Sequence, residues 1–139
     1  FLLAVPHDRA KAFGAKVRIE SLSRECLLLL EEGHCLREQT LSACRRDQLK
    51  SAEVFGISSL STLVQMVING LGITLLPQLA VPIEGRDKRL SLIRFASPEP
   101  KRTVGLAWRK SAPRKQDYAE LGRVLAKARL APMRLKTKQ

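Results

Sequence analysis

Apolar residues in this chain fall into short continuous runs and, between them, into stretches where they return every three or four positions. FLLAVP (Phe1–Pro6) is a run stopped by proline and predicts a strand. A charged connection follows over residues 7–25, with a short helix around Arg9–Phe13. ECLLLLE, centred on Cys26–Leu30, has no polar alternation, as in a strand covered on both faces of a parallel sheet. Glu32-Gly33 signals a turn. A helix then opens near His34 or Cys35, with Leu36, Thr40, Leu41 and Cys44 on its inner side and a charged exit at Arg45–Lys50. EVFGIS (Glu53–Ser58) predicts another strand. Ser58 or Ser59 can cap the next helix, in which Leu60, Leu63, Val64, Val67 and Ile68 follow the spacing of a one-sided helix. Gly70 is a natural C-terminal stop. GITLLP (Gly72–Pro77) and LSLIRF (Leu90–Phe95) read as strands around a charged loop at 82–89. Thr103–Arg109 reads as a further strand and Gln116–Lys127 as a last helix, with Tyr118, Leu121, Val124 and Leu125 at helical spacing. Alternating strands and helices predict an α/β fold with a mainly parallel sheet.

With 139 residues the chain can build one modest core. No apolar run approaches the ~18–20 residues that span a bilayer, so no membrane partner is expected. Phe1 begins inside an apolar run without a basic segment before it, which reads as the cut end of a longer protein rather than a signal peptide. The net charge of +12 is uneven: residues 1–100 net +2, whereas residues 101–139 hold 12 basic and 2 acidic side chains. No aromatic residues interleave with that charge as a single-strand nucleic-acid groove requires. The tail at 128–139 reads as solvated and flexible.

The chemistry concentrates in GHCLREQTLSAC (Gly33–Cys44). Nine residues of helix separate Cys35 from Cys44 by ~13 Å, and a disulfide needs Cα atoms within ~7 Å. The two cysteines are therefore unrelated, or they pair only when the local structure changes. Three cysteines without a secretory signal do not make a disulfide framework. A reducing, cytoplasmic setting follows. Cys26, inside an apolar strand, reads as packing. Cys26, His34, Cys35 and Cys44 lack the paired short spacing of a structural zinc site, so neither metal nor cofactor is expected. There is no C-x-x-C for a thioredoxin-like oxidoreductase.

SSLSTLVQMVINGLGITLLPQLAVP (residues 58–82) resembles the helix–Gly–strand–Pro signature of the regulatory domains of LysR-type transcription factors. LLLLEEGHCLREQTLSAC (residues 27–44) is similar to the redox-active segment of the peroxide-sensing activators in that family. PEPKRTVGLAWR (residues 98–109) resembles the family's return strand. The likeness implies the second subdomain of a periplasmic-binding-protein-like regulatory domain: a strand at 1–6 belonging to the first subdomain, the second subdomain at 7–100, and a return strand with C-terminal helix at 101–127.

It also implies roles. Cys35 matches the peroxide-reactive cysteine and Cys44 the resolving one, joined after oxidation in a Cys35–Cys44 disulfide. His34 and Arg37 match motif neighbours, and Arg102 matches an arginine near the reactive thiol. Glu38 stands where the family has aspartate. Attack on peroxide requires a thiolate, and an unperturbed thiol is only ~3% ionised at pH 7. A helix N-terminus and nearby imidazolium or guanidinium favour the anion. His34, Arg37, Arg102 and Thr40 are the candidate activating groups or donors to the leaving hydroxide. The implied partners are hydrogen peroxide, further copies of the chain as dimer and tetramer, RNA polymerase, and DNA through a helix-turn-helix domain preceding Phe1. The implied protein is a sensor and not an enzyme. The competing reading is a LysR-type domain that binds a small effector in an interdomain cleft.

Overall fold

A computed structural model of the chain describes residues 1–44 and 52–127. The charged exit at Arg45–Lys50 and the basic tail at 128–139 lie outside them. The chain divides into two compact units, Phe1–Arg102 and Thr103–Gln139.

The first unit is an α/β layer. Strand β1 (Leu2–Pro6) is buried along its whole length. It pairs antiparallel with β5 (Thr74–Leu76) through Leu2↔Leu76 and with β6 (Leu90–Phe95) through Leu3↔Ile93. The two-residue strand β2 (Lys16–Val17) continues parallel to β6. Beyond β5, the bridge Leu27↔Ile73 connects to the parallel pair β3 (Leu27–Leu30) and β4 (Ala52–Ile57). The sheet is thus mixed rather than mainly parallel, because β1 runs against both neighbours. An apolar run records burial on two faces, and that is compatible with either direction.

β1 has a partner strand on each side. It belongs to the same unit as residues 7–100 and lies inside the sheet, held there by two ladders and by burial of Leu3, Ala4 and Val5. Cross-strand partnership of this kind cannot be seen in a local window of sequence.

The short helix α1 spans Ala10–Phe13, as the pattern predicts. Helix α2 (Cys35–Ala43) follows β3, and α3 (Leu60–Ile68) follows β4. α3 buries Leu63, Val64, Val67 and Ile68, the predicted stripe. Ser59 takes the N-cap position without a side-chain capping bond. At the other end Gly70 adopts φ 82°, and the amides of Gly70 and Leu71 bond back to Val67 and Met66. This left-handed stop satisfies the last carbonyls and turns the chain into β5. The segment expected to be a loop at 82–89 begins with one helical turn, α4 (Val81–Glu84), because Pro82 sits where a first-turn proline lacks no bond. The core joins Leu3, Val5, Leu27, Leu29, Leu41, Cys44, Ile73 and Phe95.

In the second unit, Thr103–Arg109 is not a strand. It has no ladder among the described residues, and its side chains are exposed, Val104 to 65%. A strand is a property of a pair, so an apolar segment without a partner does not become one. Helix α5 (Lys115–Lys127) follows, and Tyr118 stacks on Trp108 at 5.8 Å between ring centroids.

Candidate redox site

The site is built where β3 hands the chain to α2. The last residue of β3 is Leu30. The turn through Gly33, at φ 93°, needs the conformational freedom of glycine. His34 is extended and occupies the N-cap of α2 without a side-chain capping bond. Cys35 is the first helical residue, where backbone N–H groups lack intrahelical acceptors and the helix dipole is positive. Its side chain is exposed, and among the described residues it makes no hydrogen bond or ion pair.

Cys44 stands at the opposite end of the same helix, with its amide bonded to the Thr40 carbonyl at 3.0 Å. It is 1% exposed and packed in the core with Leu41. Burial pushes its thiol up to about 11, because the core disfavours the thiolate. α2 is continuous from Cys35 to Ala43, so the two cysteines are ~13 Å apart along it. The structure holds both as thiols and does not bring them together.

The other predicted residues separate into distinct roles. His34 adjoins Cys35, and its Nε2 lies 3.7 Å from Glu31 Oε1. Arg37 does not stand free beside the thiol. Its side chain is 11% exposed, and its Nη1 donates to the Leu30 carbonyl at 3.3 Å. Glu32 and Glu38 each approach it to 3.8 Å. Thr40 is buried, and five residues of helix put it ~140° round the axis from Cys35, on the packing face. Arg102 is exposed at the end of the first unit. It is close enough to the Phe1 ammonium to help lower that group's pKa, behind the larger effect of desolvation. Among the described residues no hydrogen bond or ion pair connects Arg102 with Cys35. Cys26 is half-buried, and its carbonyl accepts from the Ile73 amide at 2.9 Å. Glu31 and Glu32 stand beside His34 and Arg37, whereas the sequence pattern marks only Glu32, and only as part of a turn. Their spacing before His34 and Arg37 was the available signal.

This fold and this helix define the class: the chain belongs to the LysR substrate-binding domain family, whose description matches residues 1–129. Within it the chain is 42% identical over 127 residues to a probable hydrogen peroxide-inducible genes activator of Mycobacterium leprae, covering 90% of this chain and 40% of that protein. It is 40% identical over 124 residues to the DNA-binding transcriptional dual regulator OxyR of Escherichia coli K12, covering 89% and 41%. Among solved structures, a cysteine-to-serine variant of Corynebacterium glutamicum OxyR with hydrogen peroxide bound superposes with a TM-score of 0.82 at 31% identity, covering 91% of this chain and 41% of that one. The chain therefore spans about two fifths of the length of the curated relatives it matches.

Proposed function

We propose that this chain is the redox-sensing part of a LysR-type, hydrogen-peroxide-responsive transcription activator, switched by a reversible Cys35–Cys44 disulfide. The observation that carries the reading is the placing of two thiols at opposite ends of one short helix, one exposed at its N-terminus and one in the core. The Cys35 thiolate attacks one peroxide oxygen, the O–O bond breaks, and hydroxide leaves to take up a proton as water. Cys35 is then a sulfenic acid. Attack by Cys44 on that sulfur forms the S–S bond and releases a second water. A cellular thiol reductant reverses the bond. Such a cycle suits a cytoplasmic regulator that acts as a dimer or tetramer, reaches DNA through a helix-turn-helix domain elsewhere in the protein, and contacts RNA polymerase. Its relatives are regulators of transcription and not enzymes. Arg102 and His34 are the remaining candidates for assisting the thiolate, since the Arg37 guanidinium is engaged with the Leu30 carbonyl and Thr40 is buried.

One equivalent of peroxide followed by mass spectrometry tests this reading. The wild-type chain should lose about 2 Da as the disulfide forms, and Cys44→Ser should gain about 16 Da as the sulfenic acid. Cys35→Ser should not react rapidly, and Cys26→Ser should behave as wild type. Rapid oxidation of Cys35→Ser would sink the assignment. The effector-binding reading draws on a cavity of about 280 Å³ lined by Arg18, Glu20, Ala43, Ser97 and Glu99. It requires a ligand-dependent thermal shift that survives loss of Cys35.

A further inference from the structure

We infer that Arg37 is the clasp that fastens α2 to the end of β3, and that release of this clasp is the step that frees Cys44 to reach Cys35. The inference rests on the disulfide reading above and assigns its control to a residue whose charge alone would suggest thiol activation. Arg37 lies two residues from Cys35, which on a helix is ~200° round the axis. Its guanidinium turns inward, bonds the Leu30 carbonyl and sits between Glu32 and Glu38. At 3.3 Å the bond to the carbonyl is longer than the usual charge-assisted one, so the hold of the guanidinium is shared with the two carboxylates at 3.8 Å.

The rest of the docking rests on few side chains. α2 buries only Thr40 and Leu41 along its nine residues, where α3, of the same length, buries four apolar side chains. Two buried polar atoms on the helix, Arg37 Nε and Gln39 Oε1, have no hydrogen-bond partner among the described residues. Each loses its hydration when α2 docks and regains it when α2 opens. The clasp thus adds the hold of a charged group to a helix whose apolar docking rests on Leu41 and the adjoining Cys44, and opening is what the ~13 Å separation of the cysteines demands.

The redox step consumes one peroxide, yields two waters and leaves one S–S bond, as written above. Arg37 is not a party to the electron transfer. Removing it should destabilise the docked dithiol state and leave the first oxidation alone. The test compares wild type, Arg37→Met and Arg37→Lys in the full chain, each also in a Cys44→Ser background. In reduced protein, Arg37→Met should speed amide exchange over residues 36–44 by about tenfold or more, with the amides of α3 unchanged. The Cys35–Cys44 midpoint should move to more negative potential by ~30 mV, which is a tenfold change for two electrons. In the Cys44→Ser background, sulfenic acid formation should stay within about threefold of the parent. Arg37→Lys keeps the charge without the fork, so it should show the same exchange and potential changes in smaller measure.

If Arg37→Met slows the first oxidation tenfold or more, with exchange over α2 unaltered and with Lys restoring the rate, Arg37 is a thiol activator and the clasp is wrong. If α3 also loses protection in Arg37→Met, the milder Arg37→Lys decides. If wild type forms no Cys35–Cys44 bond, the disulfide reading fails, while exchange in reduced protein still shows whether Arg37 holds α2.

Discussion

Cys44 is the residue whose surroundings speak most directly to pH. Its folded-state thiol lies at about 11 against an ordinary 9.0, owing to burial. Below pH 9 both folded and unfolded chains keep the proton, and the group contributes fully to folding. Above 9 the unfolded chain releases the proton first and gains by it, so stability falls between pH 9 and about 11, by up to ~2–3 kcal/mol in all. Denaturant titrations in reductant should therefore show a steeper loss over that window in wild type than in Cys44→Ala. Equal slopes would mean the thiol is not desolvated. The same burial should make alkylation of Cys44 much slower than that of exposed Cys35. These two positions were legible from sequence, since one follows a turn and the other falls on the apolar side of the helix. Arg37 was not, because a charged residue two places from a cysteine gives no hint that its side chain curls back to the preceding strand.

At the scale of elements, the conflict between helix length and disulfide reach sets the main expectation. Disulfide formation must break the helical register between Cys35 and Cys44, and amides 36–44 should lose protection from exchange in the oxidised chain. Cys44→Ser, oxidised at Cys35 alone, should keep it. Identical exchange in reduced and disulfide-bonded protein would show that the cysteines meet by another path. A second expectation concerns the seam between β3 and β5. A Cβ on Gly72 would lie 2.5 Å from the Cys26 carbonyl oxygen and 2.9 Å from Leu28 Cγ. Backbone cannot yield there as a flexible side-chain tip can, so Gly72→Ala should lower stability by ~2–3 kcal/mol through overpacking. A melting temperature unchanged from wild type would contradict it. The elements themselves were largely legible: α3 was readable from its stripe and Gly70 stop, β6 from its six apolar-rich residues. What periodicity could not supply was partnership. It left open that β1 would run antiparallel between β5 and β6, and that Thr103–Arg109 would find no ladder.

On the scale of the whole chain, composition and structure divide it at nearly the same place. The uneven charge marks a change after residue 100, and the chain divides into its compact units between Arg102 and Thr103. Every buried apolar side chain among the described residues lies between Leu2 and Phe95. In the second unit Val104, Leu106, Trp108, Tyr118, Leu121, Val124 and Leu125 are all more than a third exposed. Burial of apolar surface is the dominant favourable term in folding, so the first unit carries the core that stabilises it and α2 with it. A chain ended after Arg102 should therefore unfold cooperatively with a melting temperature close to that of the first unit in the whole chain, and should retain protection of α2 in the reduced state. A chain ended after Lys127, lacking only the basic tail, should also react with peroxide at the parent rate, because the tail contributes charge and no apolar face. Loss of α2 protection in the shorter chain would show that residues beyond Arg102 help to hold the site. Slowed oxidation on removing residues 128–139 alone would show that the local positive field, and not only the immediate surroundings of Cys35, assists the thiolate. Added salt should then slow the longer chain to the rate of the trimmed one, since 0.1 M ionic strength cuts the reach of a solvated charge to ~10 Å.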